Sequence, residues 1–457
     1  MDAQTVKAGM LDPSFGDNGK VTLRSGNAIT HAYNMATGDD GYILVALSVP
    51  GANISIGSKF GLARLHPDGQ IDDTFGVNGY AVYEGRGGTI EIGSSTVLPP
   101  AAGTPFEPHL PSTEVAIGAR GLQPFLLPDG KILLHCSLGP PLTGAAQEPF
   151  LAKFNADGSL DASFGEGGTR YLDIDVANHV LIHATVIPMP DRKITVVARR
   201  LRRDGKVDAL IVRLLENGQM DASFGEEGTQ PVSFPGGRDD NVHHAVLQGQ
   251  KFVLGGNNAS QALVRRFLPS GDIDGPFGTN GTYHLPEEAD PAVSRPWLEQ
   301  LLASGDGGFI GIGTNAIGSG NGSFRDYGFV VGIDANGHPN PGFGDGKPIS
   351  TPDRLGQSRL TTGAFDQAGN LLVAGSLGGG SARGFLVGRY SPAGIPDESF
   401  GDHGFAYIVL GSPKEIARGF ALQRSGGILL SGQIIDTTTP WKSAGVVMRV
   451  RSAPTAL

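Results

Sequence analysis

A single cysteine, Cys136, stands in 457 residues. No intrachain disulfide can form, so a fold of this size must rest on its core. In the strand-like run ILLHCSLG, Cys136 is expected to be a buried, inert thiol. Positive charge is scarce as well: 35 Lys and Arg stand against 45 Asp and Glu, a formal net charge of −10. A generic nucleic-acid binder needs the opposite excess, so nucleic acid is excluded as the expected partner. No run of eighteen apolar residues occurs, so no membrane-spanning helix and no membrane insertion are expected. The opening MDAQTVKAGMLDPSFG carries no apolar h-region, so the expectation is no signal peptide and a cytoplasmic location or leaderless export. Catalytic signatures are missing too: there is no G-x-S-x-G, no H-E-x-x-H, no C-x-x-C and no phosphate-binding Walker loop. No metal site and no cofactor are expected. His179 and His183 lie four apart in a strand-like stretch, a span of roughly 13 Å, too far to share one ion.

What the chain has in abundance is glycine, 71 residues, about twice ordinary usage, and it falls at turns. Much of it belongs to one phrase written seven times. The copies are LDPSFGDNG from Leu11, IDDTFGVNG from Ile71, LDASFGEGG from Leu160, MDASFGEEG from Met220, IDGPFGTNG from Ile273, PNPGFGDG from Pro339 and PDESFGDHG from Pro396. Their phenylalanines are Phe15, Phe75, Phe164, Phe224, Phe277, Phe343 and Phe400. A period near sixty held across the chain means an array of one supersecondary unit. Each Phe is expected to be a buried plug. Each leading acid (Asp12, Asp72, Asp161, Asp221, Asp274 and Asp397, with Asn340 in the sixth copy) can accept N–H groups ahead of it and pin a turn. One acid per turn lacks the clustered oxygens that Ca²⁺ wants.

Two strands accompany each phrase. One precedes it and ends in a tight turn, as in Phe150–Asp161, where Asp-Gly or Asn-Gly steps supply a positive φ. The other follows a turn, as in DDGYILVAL (39–47) and SGGILLSG (425–432). The chain begins inside a unit, at LDPSFG, and stops with AGVVMRVR, a strand with no phrase behind it. The two halves complete one unit if the termini meet, which removes open sheet edges. The expectation is an all-β, seven-bladed β-propeller over residues 1–457, its ring closed by pairing of N- and C-terminal strands near Gly19–Leu23 and Gly445–Val450. Residues 452–457 read as a short tail, and a monomer is the default.

The phrase LDxSFGxxG with its DGKILVAG-like strand resembles the bacterial delta-sixty repeat family, over nearly the whole chain. The sixth copy departs most, with Asn340 for Asp and Gly342 for Ser. The resemblance implies propeller-like architecture, often in surface or secreted bacterial proteins. It implies no catalytic motif.

A basic residue precedes the post-turn strand in all seven units by about eleven positions: His31, Arg120, His183, His244, Arg295, Arg359 and Arg418. Lys, Arg and His make up only 46 of 457 residues, 35 plus 11, so recurrence in every unit is not chance. Two readings stand. The residues form a basic ring at the channel mouth that attracts a carboxylate, phosphate or sulfate, strengthening as histidines protonate below about pH 6.5. Alternatively, each base ties a turn acid of its own or a neighbouring blade. The 89-residue gap from Phe75 to Phe164 holds an insertion, Gly85–Ser112, Pro-rich and carrying Phe106 and His109, which reads either as a binding loop with these as ligand contacts or as a spacer or edge cover. PAVSRPWLEQ (291–300), with Trp297, has short helical potential. The expected function is a non-catalytic binding or scaffold propeller for an anionic small molecule, glycan, peptide or protein. The alternative is an enzyme, a lyase or hydrolase using channel-facing His and Arg residues.

Overall fold

The computed structural model describes residues 5–25, 28–49, 59–84, 122–136, 149–172, 174, 179–202, 207–232, 241–257, 261–285, 294–318, 324–378, 384–412, 414–435, 443–453 and 455–456. Apart from two short 3-10 turns, the regular elements there are strands. They form seven antiparallel blades, six of four strands and one of five, and a separate two-stranded pair; in six blades each strand pairs with its sequence neighbour. The protein is a seven-bladed β-propeller.

Blade 1 runs from the innermost strand His31–Thr37 through Ile43–Val49 and Lys59–Leu65 to the outermost, Tyr80–Glu84. Blades 2 to 6 repeat this order with innermost strands Leu122–Leu126, His179–Pro188, Asn241–Gln248, Ser294–Ala303 and Ser358–Phe365. Innermost strands of neighbouring blades contact one another and so line the central channel. Trp297 lies in one of them, so its segment is a strand and not a helix. Pro296 is tolerated there because the strand is the sheet's free edge.

Blade 7 mixes the ends of the chain. Lys414–Leu422, Ile428–Ile435 and Ala444–Val450 supply three strands and Lys20–Ser25 the fourth, in the register Lys20 with Met448 through Leu23 with Gly445. The expected terminal pairing is what the ring uses. The last residues go further than a tail: Thr455–Ala456 pairs with Thr5–Val6.

Each repeat phrase is a joint between blades. All seven phenylalanines are buried, none more than 5% exposed. In six of the seven phrases the glycine after the Phe donates its N–H to a carbonyl across the joint, as from Gly16 to Asp68 at 2.7 Å and from Gly278 to Asn336 at 2.7 Å. The Phe ring packs under that turn's glycine. A methyl on Gly69, at φ +91°, would meet Phe15 at 2.9 Å, so the position needs both glycine's handedness and its missing side chain. The turn acid accepts from the backbone and hydroxyl two residues on, as at Asp221, from Ser223 N–H at 3.2 Å and Oγ at 2.5 Å.

The acid's other oxygen takes a base from the strand eight residues earlier. Arg64 reaches Asp72 at 2.5 Å, Arg213 reaches Asp221 at 2.9 Å, Arg266 reaches Asp274 at 2.6 Å, and Arg389 reaches Asp397 at 2.8 Å. Across the closure Arg449 reaches Asp12 at 2.8 Å. The same five guanidinium groups lie 4.2 to 4.9 Å from the centroids of the motif Phe rings. Some also donate onward to the next blade's turn, Arg64 to Ala156 O at 2.7 Å and Arg266 to Ala335 O at 2.8 Å. In blade 2 the base is Lys153, helped by Lys131 at 2.8 Å from Asp161. Blade 5 lacks the base, because Gly332 stands there and a Cβ would lie 2.7 Å from Phe343. Its phrase correspondingly carries Asn340, whose amide bonds Asp306 at 3.2 Å.

Two predictions follow from these joints. Deleting residues 444–457 removes the strand between Ile428–Ile435 and Lys20–Ser25, baring two sheet edges. The truncated protein should aggregate or melt at much lower temperature, and one as heat-resistant as the parent contradicts ring closure. Asp274→Asn leaves buried Arg266 without its charge partner and should cost about 3 kcal/mol in denaturant unfolding, while Asn340→Ala should cost about 1 kcal/mol or less. Equal losses at the two positions would contradict the joint.

Candidate functional site

The innermost strands share a feature that the periodicity does not reveal. In six blades the ladder to the second strand slips, leaving an unpaired bulge: Tyr33–Asn34, His183, His243, Glu299, Thr361 and Arg418. Bulges re-aim side chains and recur next to functional surfaces. This is the structurally equivalent position around the channel. Of the seven basic residues, His183 and Arg418 occupy it. His244 follows the bulge directly, His31 and Arg359 precede it by two residues, and Arg295 precedes it by four. Arg120 and the insertion Gly85–Ser112, with Phe106 and His109, lie outside the described residues, as do the side chains of His183 and Arg295.

The motif acids are held by the strand bases described above, not by these channel bases. Arg359 has an acid of its own, Asp326 of the neighbouring blade, at 2.6 and 2.7 Å. His31 and Arg418 meet at the seam of blades 7 and 1. The contact is set by close backbone approach: a Cβ on Gly419 would lie 2.5 Å from Tyr33 O, and Ser431 Oγ donates to that same carbonyl. Arg418 places its guanidinium 4.9 Å from the centroid of the Tyr33 ring. Its buried Nε and Nη1 find no hydrogen-bond acceptor, and it forms no ion pair among the described residues.

A third base joins them. Lys414 begins the strand that carries Arg418, and its pKa is lowered, by desolvation first and then by Arg418. The His31 pKa is pushed down to about 4, again by desolvation first and then by Arg418. His31 and Lys414 therefore both sense the Arg418 charge, and wholly buried Glu415 follows Lys414 on the same strand. Lys414 belongs to the same repeat unit as Arg418, so a pattern of one base per unit does not single it out. The spacing KEIAR was the available signal.

Elsewhere on the inner wall His243 stacks on Trp297, centroids 4.4 Å apart at 28°, and its Nε2 bonds Asn257 Oδ1. Among the described residues no group of three or more His, Cys, Asp or Glu could hold a metal ion. Cys136 is buried and its thiol is held well above the ordinary pKa by burial.

Residues 51–75, 127–164 and 190–224 match a family model described as a domain of unknown function (DUF5122) beta-propeller. No curated protein matches the chain. Among solved structures it is similar to prolyl oligopeptidase B from Galerina marginata, at 11% identity and TM-score 0.41, over 91% of this chain and 48% of that one. It is also similar to an ulvan lyase described as a new family of polysaccharide lyase, at 12% and 0.44, over 96% and 98%. A third is semaphorin 1a from Drosophila, extracellular domains 1–2, at 9% and 0.46, over 93% and 87%. The chain spans about half the length of the peptidase. At these scores the similarities carry no argument about chemistry.

The histidines give a pH prediction. His135, wholly buried in the second strand of blade 2, is also pushed to about 4 by desolvation. A folded pKa below the unfolded value near 6.5 means that the unfolded chain binds protons first. The stabilisation is whole above about pH 6.5 and is lost as pH falls from there to about 4. One such buried histidine contributes at most about 3 kcal/mol over this window. Unfolding free energy should fall between pH 6.5 and 4, and His135→Leu should flatten part of that fall. An unchanged slope in the variant would contradict the assignment.

Proposed function

We propose that the protein is a non-catalytic binding propeller that holds an anionic group, a carboxylate, sulfate or phosphate of a small molecule, glycan or peptide, on its inner wall at the seam of blades 7 and 1. We also read its seven phrases as delta-sixty repeats. One observation carries the binding reading. His31, Lys414 and Arg418 converge there, and buried guanidinium N–H groups of Arg418 are without acceptors. Converging like charges destabilise a fold unless an opposite charge offsets them, and no carboxylate pairs with Arg418 among the described residues. An incoming anion with two oxygens matches the fork of the guanidinium, while the Tyr33 ring supports its face.

The low His31 pKa changes the expected pH response. Alone, His31 takes up its proton near pH 4 and not 6.5. A bound anion favours the imidazolium and raises that value, so binding takes up a proton. The test is thermal unfolding of the full chain with citrate. Citrate should raise the melting temperature, and the shift should shrink with added salt, because exposed charges are screened over about 10 Å at 0.1 M. Arg418→Met should abolish the shift while leaving the ligand-free protein as stable or more so, since it removes the repulsion. No citrate shift in the parent, or an equal shift in the variant, would overturn the proposal.

A further inference from the structure

The outer edge of blade 6 lacks a protection that the other blades carry. Nine residues after each motif Phe the chain leaves the outermost strand. In six blades the residue there is charged, a proline or a serine: Arg24, Glu84, Asp173, Ser233, Pro286 and Pro352. Charge and proline at a sheet edge discourage pairing with a further strand. In blade 6 the residue is Val409, within FAYIVL (405–410), a run with neither charge nor proline. Alternate residues of this run face opposite ways. Ala406 and Ile408 pack into the core shared with blade 7, and Phe405 into the core shared with blade 5. Tyr407 and Val409 lie on the Phe405 side but are 60% and 59% exposed. The outermost strand of blade 5 is only Ile349–Ser350, and from the turn that follows it Arg354 lies over the Phe405 ring, 5.8 Å from its centroid.

The ladder fixes where the backbone groups of this edge point. Arg389 N–H donates to Gly404 O at 2.9 Å, and from there Gly388 to Phe385 pair with Phe405 to Ile408. Bonded and non-bonded pairs alternate in an antiparallel ladder. Ala406 and Ile408 therefore turn their N–H and C=O into the blade, while Tyr407 and, one step on, Val409 turn theirs outward. Among the described residues nothing takes those outward groups. A strand that docks there must offer outward groups two residues apart, with apolar side chains on the matching face. The same edge of a second copy does so. With a two-fold axis through Ile408, Tyr407 of one copy stands opposite Val409 of the other, and the reverse pair repeats it. Each pair exchanges both of its hydrogen bonds, and both aromatic–β-branched contacts fall on one face of the joined sheet. We infer that two copies of this chain associate through the outer edge of blade 6, Tyr407 of each against Val409 of the other. The edge is short, so the contact is small and the dimer is a reversible one.

The experiment is sedimentation equilibrium of the full chain from about 10 μM to about 1 mM, the range in which a small interface shows itself. The parent should pass from monomer to dimer with no larger species, because a two-fold contact closes on itself. Val409→Glu puts at this edge the charge that blade 1 carries there. It should weaken the dimer by at least about tenfold with the melting temperature unchanged. Adding Tyr407→Lys to Val409→Glu sets opposite charges across both pairs. At low salt the double variant should associate at least about tenfold more tightly than Val409→Glu alone, and added salt should remove the gain. A parent that stays monomeric throughout would overturn the inference and leave the edge to a strand of another protein. Association undiminished by Val409→Glu, or no gain in the double variant, would overturn it as well.

Discussion

The structure depends on one charge-assisted contact made in six of the seven blades: a strand base, the acid that opens the repeat phrase, and the phenylalanine three residues on. A buried carboxylate alone would be costly, and so would a buried guanidinium. Together they satisfy each other, and the ring beneath receives the flat face of the cation. The arrangement holds the acids firmly ionised. Despite the desolvation that opposes it, the Asp161 carboxyl is pulled down to about 2 by its bonds to Lys131 and Ser163. Because the guanidinium also reaches the neighbouring turn, a contact local to one sheet becomes a joint between two. At the closure the same device joins residues from opposite ends of the chain, Asp12 with Arg449 and Arg451.

This division of labour explains why the channel bases differ from the strand bases. A repeated structural ion pair needs a base at a fixed distance from its acid, and the strand bases keep a separation of eight residues from blade to blade. The inner-wall bases keep no fixed separation from the bulge. Arg359 found an individual partner in Asp326, while His31 and Arg418 came to face each other. Positions released from the scaffold's pattern are where a repeat protein can specialise.

The architecture was legible because the repeat is long and its signals agree. The phrase gave the blade number, alternation gave the strands, the Asp-Gly and Asn-Gly turns gave the positive-φ glycines, and the half-units gave the closure. The strand base eight residues before the acid is equally present in the sequence from the second phrase on, and Gly332 with Asn340 shows base and acid lost together, but the base lies outside the repeat phrase. Trp297 lies in a strand because its segment ladders onto Phe309–Gly318, a pairing that local helical potential does not register. The channel cluster was half legible. His31 and Arg418 stand far apart in sequence, and only ring closure brings them together. The bulges that aim such residues depend on a slip between two strands, which residue types do not announce.

The most direct test of the account is a double-mutant cycle across the closure, with Asp12→Asn, Arg449→Met and the pair, measured by denaturant unfolding. If the base–acid contact is what joins blade to blade, the two losses should be strongly non-additive, with a coupling of about 1–3 kcal/mol between residues 437 positions apart in sequence. Strictly additive losses would mean that the contact carries no energy of its own and that packing of the phenylalanines alone holds the ring.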